Sequence, residues 1–234
     1  MTLDPDVTIR PYRASDRPRV RDICFVTGYM GEPVDWLWRD RESFADLFSG
    51  YWTDREPESA LVAETCGVVA GYLLGCVDSR KVWNMGTLMG RHLVRRGMLV
   101  RPGTAGVLWR MIGDIVVDGI RRKLPPLGVH DPRWPAHLHI DLLPECRGRG
   151  VGAELVRRWL QTLRDVGVPG CHLETMAENT GAIAFFESVG FRRQGPPSNA
   201  PGFRSQEGAR NHVQLMVQPL TAVDTPGRLL GDEV

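Results

Sequence analysis

The sequence predicts an α+β (mixed α/β) fold, in which helices flank a central sheet and a helical insertion precedes the central strand. Segments of alternating apolar and polar residues mark strands, and segments with apolar residues three and four apart mark helices between them. Residues 80–133 break this order and carry their own helical pattern. We therefore expect one domain over residues 1–220, with the insertion at about 80–133, and a flexible tail over residues 221–234.

Composition restricts the class of protein. The 234 residues suffice for one large domain with an ample core. A formal net charge of +1 predicts no general attraction to nucleic acid or to anionic membranes. The five cysteines are widely spaced without a C-x-x-C pair, which indicates neither a disulfide framework nor a metal site. The N-terminus lacks a signal-peptide pattern, and no apolar run reaches transmembrane length. We expect a cytoplasmic protein with reduced thiols and no metal.

The N-terminal third predicts a strand over residues 7–12, a helix to about Val26 and a strand hairpin over residues 60–77. Between them, residues 36–52 are rich in aromatics and predict a helix. Aromatic side chains in this region could line an acceptor pocket or pack in the core. The residues concerned are Tyr29, Trp36, Trp38, Tyr51 and Trp52.

The insertion predicts a helix over residues 104–122 and a weaker one over residues 93–100, with Leu124-Pro125-Pro126 ending the longer helix. The apolar stripe of the longer helix consists of Val107, Leu108, Met111, Ile112, Ile115, Val116 and Ile120. Such a segment could serve as a lid or as the contact of a homodimer. Additional core packing is the alternative.

The stretch from His137 to Leu163 contains a strand, a glycine-rich turn and a helix in that order. Glycines allow backbone N–H groups to approach a phosphate, and the first turn of a helix supplies unpaired donors at the positive end of its dipole. Arg147 and Arg149 add side-chain charge to the turn. The stretch therefore predicts a cradle for a phosphate-bearing ligand.

The chain after this helix predicts a strand, a short helix capped by Asn179 and stopped by Gly190, and two further strands around a loop. The expected ranges are a strand over 171–176, a strand from 191, a Gly/Pro/Ser loop over 195–210 and a final strand over 212–218.

Three ligand classes use glycine turns of this kind. A nucleoside triphosphate loop needs Lys followed by Ser or Thr, whereas Ala153-Glu154 follows here. A dinucleotide turn is a better rival, because Gly148-x-Gly150-x-x-Ala153 fits its pattern and Glu174 lies about twenty residues on. Too few elements remain after Glu174 to build a doubly wound sheet, however.

The third class fits more of the chain. Arg147, Gly150 and Gly152 match the Arg/Gln-x-x-Gly-x-Gly/Ala pattern, and the run from Leu142 to Gly152 resembles the acetyl-coenzyme A signature of the GNAT superfamily of N-acetyltransferases. The downstream run Asn179-x-x-Ala182-x-x-Phe185-Phe186-Glu187-x-x-Gly190-Phe191 is similar to the second motif of that superfamily. Residues Pro135 to Asp141, with the insertion before them, carry a narrower resemblance. They resemble bacterial acetyltransferase-like proteins related to the C-terminal domain of O-GlcNAcase.

The resemblance implies a mixed, mostly antiparallel GNAT-like sheet and direct transfer of an acetyl group from acetyl-CoA to a small-molecule or peptide amine. It implies that the central strand separates from the next strand at a bulge near Leu142 and Leu143, whose backbone would hold pantetheine. The residues expected to bind acetyl-CoA are Leu142, Leu143, Arg147, Gly148, Arg149, Gly150, Val151, Gly152, Ala153, Asn179, Ala182, Phe185 and Phe186.

Acyl transfer to an amine needs a base or a water relay, and His139 and Asp141 are the candidates because they share one face of the central strand. One departure from the family pattern concerns the proton donor. The position that usually holds a tyrosine, which protonates the departing thiolate, is Phe186 here. The alternative hypothesis is therefore a catalytically weak or inactive acyl-CoA-binding module on the same fold.

Overall fold

The computed structural model describes residues 3–82, 85–100, 104–123 and 128–220. Its helices are α1 (Arg17–Val26), α2 (Arg41–Ala45), α3 (Tyr51–Arg55), α4 (Met85–Arg95), α5 (Ala105–Ile120), α6 (Val151–Asp165) and α7 (Thr180–Ser188). Its strands are β1 (Val7–Pro11), β2 (Ala60–Thr65), β3 (Val68–Cys76), β4 (Ala136–Leu142), β5 (Gly170–Met176), β6 (Arg192–Arg193), β7 (Ser198–Arg204) and β8 (Arg210–Pro219). None of the described helices is both long and apolar enough to cross a membrane.

The eight strands form one sheet in the order β1-β2-β3-β4-β5-β8-β6, and β7 also pairs with β8. Among the described strands, β4 and β5 form the one parallel pair, and α6 connects them. The predicted mixed, mostly antiparallel sheet with flanking helices is therefore confirmed. This strand order is not the doubly wound parallel sheet that dinucleotide binding would require.

Two hydrophobic clusters cover the two faces of the sheet. On one face, α6 packs Leu155, Trp159 and Leu163 against Leu73 and Leu138. The other face is covered by α1 and the aromatic-rich segment, of which Trp38, Tyr51 and Trp52 are buried with Tyr72. Core packing is therefore the role of these three aromatics, whereas Tyr29 and Trp36 stay partly exposed.

The opening between β4 and β5 begins earlier than the sequence predicts. The two strands pair only at Ala136–Cys171 and His137–His172 and then diverge. The expected bulge near Leu142 and Leu143 is wrong, because β4 keeps one register with β3 and the Leu143 N–H donates to the Ala70 carbonyl at 2.9 Å. The gap opens because β5 turns away from β4, and β4 itself needs no bulge for this.

The insertion and the C-terminal segment also differ from expectation. The weaker helix lies at Met85–Arg95 instead of residues 93–100, and residues 198–204 of the expected loop form β7. The long helix has its predicted extent, but Ile112, Ile115, Val116 and Ile120 of its apolar stripe are exposed. Helical periodicity places residues on a common stripe without stating which stripe faces the protein. The Leu124–Pro125–Pro126 stop and the expected tail lie outside the described residues.

Candidate functional site

The glycine turn forms the N-terminus of α6, at the open end of the gap between β4 and β5. Gly148 and Gly150 have φ values of +71° and +77°, a backbone conformation that favours glycine. The first hydrogen bond of the helix runs from the Glu154 N–H to the Gly150 carbonyl at 3.1 Å. The N–H groups of residues 151–153 precede that bond and therefore point out of the helix end as potential anion donors.

The two arginines of the turn bind protein groups. Arg147 donates from Nε to the Leu142 carbonyl (2.9 Å) and from Nη2 to the Gly31 carbonyl (2.6 Å). Arg149 donates from Nε to Asp4 Oδ2 at 2.8 Å. Their guanidinium groups thus brace the turn against neighbouring segments, and the donors left for a phosphate are mainly backbone N–H groups.

The edge of β4 that faces the gap carries the backbone of Leu142. Alternate residues of an antiparallel strand direct their N–H and C=O groups to the same neighbour. Because Leu143 bonds to β3, the N–H of Leu142 faces away from β3, toward the side where β5 has diverged. The gap therefore offers the Leu142 N–H at a strand edge that β5 does not pair, whereas the Leu142 carbonyl already accepts from Arg147 Nε. An extended amide-bearing chain can add at such an edge.

The second motif closes the same end of the gap. Asn179 caps α7 by accepting a hydrogen bond from the Ala182 N–H at 3.1 Å. The Phe185 ring lies against the glycine turn, since a Cβ added at Gly152 would lie 3.0 Å from Phe185 Cζ. Phe186 instead packs in the core beside Phe191, with 7% of its side chain exposed. Asn179 and Ala182 therefore have a helix-capping role in addition to the predicted ligand contact.

His139 and Asp141 meet on one face of β4, as predicted, and their ring and carboxylate atoms Nε2 and Oδ2 are 3.1 Å apart. The same Asp141 oxygen accepts a hydrogen bond from the hydroxyl of Tyr72, directly opposite on β3. The buried Cys24 thiol lies within 4.8 Å of the donor atoms of both residues. Thiol, imidazole and carboxylate donors at this spacing also suit zinc, so the expected absence of metal stays a prediction.

The protonation states of the histidines differ because their neighbours differ. Burial alone would lower the pKa of His139, but the Asp141 carboxylate, with a smaller contribution from the neighbouring Cys24 thiol, outweighs burial and raises that pKa to about 10. His137 and His172 have no carboxylate partner, and burial lowers the pKa of each. At neutral pH His139 is therefore a cation, held between Asp141 and the stacked ring of Trp52.

Glu174 is a further site residue, which the sequence pattern presented only as part of a dinucleotide turn. The last paired residues of the gap are His137 and His172, so the next side chains on the same face are His139 on β4 and Glu174 on β5. The two side chains thus lie where the gap begins, directly after the last paired residues. Although Glu174 is exposed, surrounding protein desolvates it enough to raise the pKa of its carboxyl. No local motif marks it, because its role depends on where the two strands separate.

An acidic cavity of about 600 Å³ lies beyond the C-terminal end of β5. Its wall includes Tyr29 and Trp36, whose rings pack edge to face with their centroids 4.9 Å apart. Four carboxylates belong to the same lining, from Glu32, Asp35, Glu178 and Glu207. The two rings are among the aromatics that the sequence offers for an acceptor pocket, and the carboxylates come from residues 32–35, from residue 207 and from the segment that follows β5.

Replacing Asp141 with asparagine is expected to discharge His139 at neutral pH. Without the carboxylate, burial, which is the largest single influence on His139, lowers its pKa from about 10 and favours the neutral ring. Because the folded-state pKa of His139 is raised, the pair stabilises the wild type fully below about pH 6.5 and progressively less as pH rises to about 10. Imidazole NMR titration in the presence of a chelator measures the pKa, and urea unfolding across that pH range measures the stability. An unchanged titration in the variant would refute the pairing, and Asp165→Asn, on the exposed side of α6, is the control.

Known proteins resemble this chain in sequence and fold. The sequence model of the Acetyltransferase (GNAT) family matches residues 122–191. "Probable N-acetyltransferase family 8 member 5" of Mus musculus is 35% identical over 79 residues, a segment that covers 34% of this chain and 34% of that protein. The likeness to this curated relative thus covers about a third of each.

Solved structures match almost the whole chain. The crystal structure of SsHAT has 26% sequence identity and a TM-score of 0.62, and the match covers 93% of this chain and 100% of that one. A GNAT superfamily phosphinothricin acetyltransferase from Sinorhizobium meliloti, solved in complex with AcCoA, has 18% identity and a TM-score of 0.55 over 92% of this chain and 88% of its own. The family match is thus confined to residues 122–191, and the solved structures show a shared fold over almost the whole chain.

Proposed function

We propose that this protein is an acetyl-CoA-dependent N-acetyltransferase that moves the acetyl group directly to an amine. The observation that carries the proposal is the gap between β4 and β5, one end of which is formed by the glycine turn at the N-terminus of α6. An elongated ligand with a phosphate at one end and amides along its length fits a strand edge that leads to a helix N-terminus.

Successive parts of acetyl-CoA would contact successive parts of this gap. Its pyrophosphate would bind the N–H groups of Gly148 to Ala153, and its pantetheine amides would pair with the free edge of β4 at Leu142. Phe185, against Gly152, would contact the arm where it passes α7. The thioester would then lie further along the gap, toward His139 and Glu174.

We assign the general base to Glu174 instead of His139. A histidine with a pKa of about 10 is already protonated at neutral pH and cannot accept the proton of the amine. A carboxyl whose pKa is raised by desolvation is a better base than an ordinary carboxylate, because a higher pKa means a greater proton affinity. Asp141 then acts through His139, holding it as a cation that favours the negative charge developing on the thioester oxygen.

The reaction needs one bond to form and one to break. The ammonium group of the acceptor first gives one proton to Glu174, and the neutral amine nitrogen then attacks the thioester carbonyl. The C–N bond forms, the C–S bond breaks, and the second proton that the nitrogen loses passes through solvent to the departing thiolate. The departing thiolate has an ordinary thiol pKa of about 8.5, so solvent can protonate it without a dedicated acid. This accounts for turnover despite Phe186, whereas the binding-module alternative treats Phe186 as the reason for inactivity.

The acidic cavity supports a cationic amine as the acceptor. Four carboxylates beside the Tyr29 and Trp36 rings attract a protonated amine by charge and by cation–π contact. A small polyfunctional amine or the basic end of a peptide fits such a cavity. The relation to O-GlcNAcase-associated proteins, the homodimer and the cytoplasmic location stay predictions.

Calorimetry and a thiol-release assay test the proposal together. We expect acetyl-CoA to bind and free thiol to appear with at least one cationic amine of a panel of small amines and peptides. Binding without turnover on any amine would favour the binding module. A response to NAD with none to CoA would overturn the assignment in favour of a dinucleotide.

A further inference from the structure

Most of helix α5 is inverted, because its two aspartates face the protein and its apolar residues from Ile112 onward face solvent, whereas Val107 and Leu108 of its first turn are buried. Asp114 and Asp118 are 5% and 1% exposed. Asp114 pairs with Arg204 at 2.6 Å, and Asp118 pairs with Arg210 at 2.8 Å. These ion pairs fix the helix to β7 and β8, so its orientation is held by the fold.

The outward face of α5 is a continuous apolar stripe. Trp109, Ile112, Val116 and Ile120 are 59%, 40%, 54% and 79% exposed. At 3.6 residues per turn these positions fall on one line about 16 Å long, and the residues beside them on that face are also uncharged. The Trp109 indole donates to the Leu99 carbonyl at 3.3 Å, which places the start of the stripe beside the turn that contains the exposed Val100.

Basic residues surround this stripe. Arg110 lies near its first turn and residues 121–123, Arg-Arg-Lys, follow its end, and all four are exposed. In sequence, residues 80–123 contain ten arginines and lysines and two aspartates, a formal charge of +8 in a chain whose total is +1. Both aspartates are the buried ones that pair with Arg204 and Arg210. Among the described residues of this segment, no acidic side chain therefore offsets the exposed positive charge.

We propose that the outward face of α5 docks on the surface of an anionic lipid bilayer. The stripe, which comprises Trp109, Ile112, Val116 and Ile120, would enter the boundary between headgroups and acyl chains, and the basic residues at its ends would contact lipid phosphates. The net charge of the whole chain predicts no attraction to an anionic membrane, because acidic residues elsewhere in the chain offset the excess of basic residues in this segment.

A second copy of the chain is a poorer occupant of this face. Pairing two α5 helices side by side in antiparallel register would bring residues 121–123 of one copy near Arg110 of the other. Parallel pairing would bring the two Arg-Arg-Lys ends together. Both arrangements place like charges at the edge of the contact, which disfavours them, whereas an anionic leaflet complements the stripe and its basic ends at once.

Vesicle flotation with the full chain tests the proposal. We expect binding to phosphatidylcholine vesicles that contain about 30% phosphatidylserine, little binding to phosphatidylcholine alone, and weaker binding at about 0.5 M than at about 0.1 M salt. The double variant Ile112→Glu/Val116→Glu should lose at least about 10-fold in partitioning, since carboxylates replace the apolar centre of the stripe.

The matched control is Val68→Glu/Val166→Glu, which adds two carboxylates at positions that are 52% and 59% exposed outside the insertion. It should float like the wild type. The proposal is overturned if the wild type does not bind anionic vesicles, or if the two double variants lose binding equally. It is also overturned if light scattering shows a dimer that only Ile112→Glu/Val116→Glu dissociates while vesicles do not bind the wild type.

Discussion

Replacing Gly150 with aspartate is expected to weaken acetyl-CoA binding by at least about 100-fold. Gly150 is the residue before α6, with a φ of +77°, and the N–H groups that follow it form the anion cradle. An aspartate there adds a negative charge at the helix end where the pyrophosphate would bind, and its side chain can occupy the same N–H donors. Isothermal titration calorimetry measures the loss.

The control for this variant is Gly167→Asp at the other end of α6. Gly167 has a φ of +75° and nothing within 4 Å of an added Cβ, so backbone strain and added charge are similar while the cradle is untouched. Thermal unfolding should show that both variants fold, with a loss of stability at least as large in Gly167→Asp, because a negative charge at the C-terminal end of a helix opposes its dipole. If both bind acetyl-CoA as the wild type does, the glycine turn is not the pyrophosphate site.

Replacing Glu174 with glutamine is expected to reduce kcat by about 10² to 10³ while leaving the Kd for acetyl-CoA unchanged. Glutamine keeps the shape of the side chain but cannot accept the proton of the amine. The wild-type rate should fall as pH drops below the raised pKa of the carboxyl, because protonated Glu174 is no longer a base. The variant should lack this limb of the profile.

The comparison variant is Glu187→Gln, which removes an exposed carboxylate on α7 that pairs with Arg193. It should retain wild-type kcat and pH dependence. A Glu174→Gln enzyme with normal kcat would exclude this base. In that case the neutral form of His139 would be the next candidate, and the rate should rise as pH approaches about 10.

Local signals predicted the glycine turn and the capped helix α7, because those signals act over a few residues. The glycines of the turn at 148–152 need positive φ values or close packing, and Asn179 caps α7 through a hydrogen bond to a residue three positions on. Such features depend only on residues a few positions away in the sequence. The sequence by itself therefore determined the strand–turn–helix unit, the second motif and, through their order, the mixed sheet.

Contacts between distant residues decided the rest. β7 was expected as loop because glycine and proline hide its strand character, and pairing with β8 creates it. The inversion of α5 depends on Arg204 and Arg210, about ninety residues away in sequence. The charge of His139 depends on the Asp141 carboxylate, which accepts a hydrogen bond from Tyr72 on the neighbouring strand. The proposed role of Glu174 depends on the point at which β5 separates from β4. Protonation, exposure and the position of the gap are properties of assembled neighbours, so only the tertiary structure could decide them.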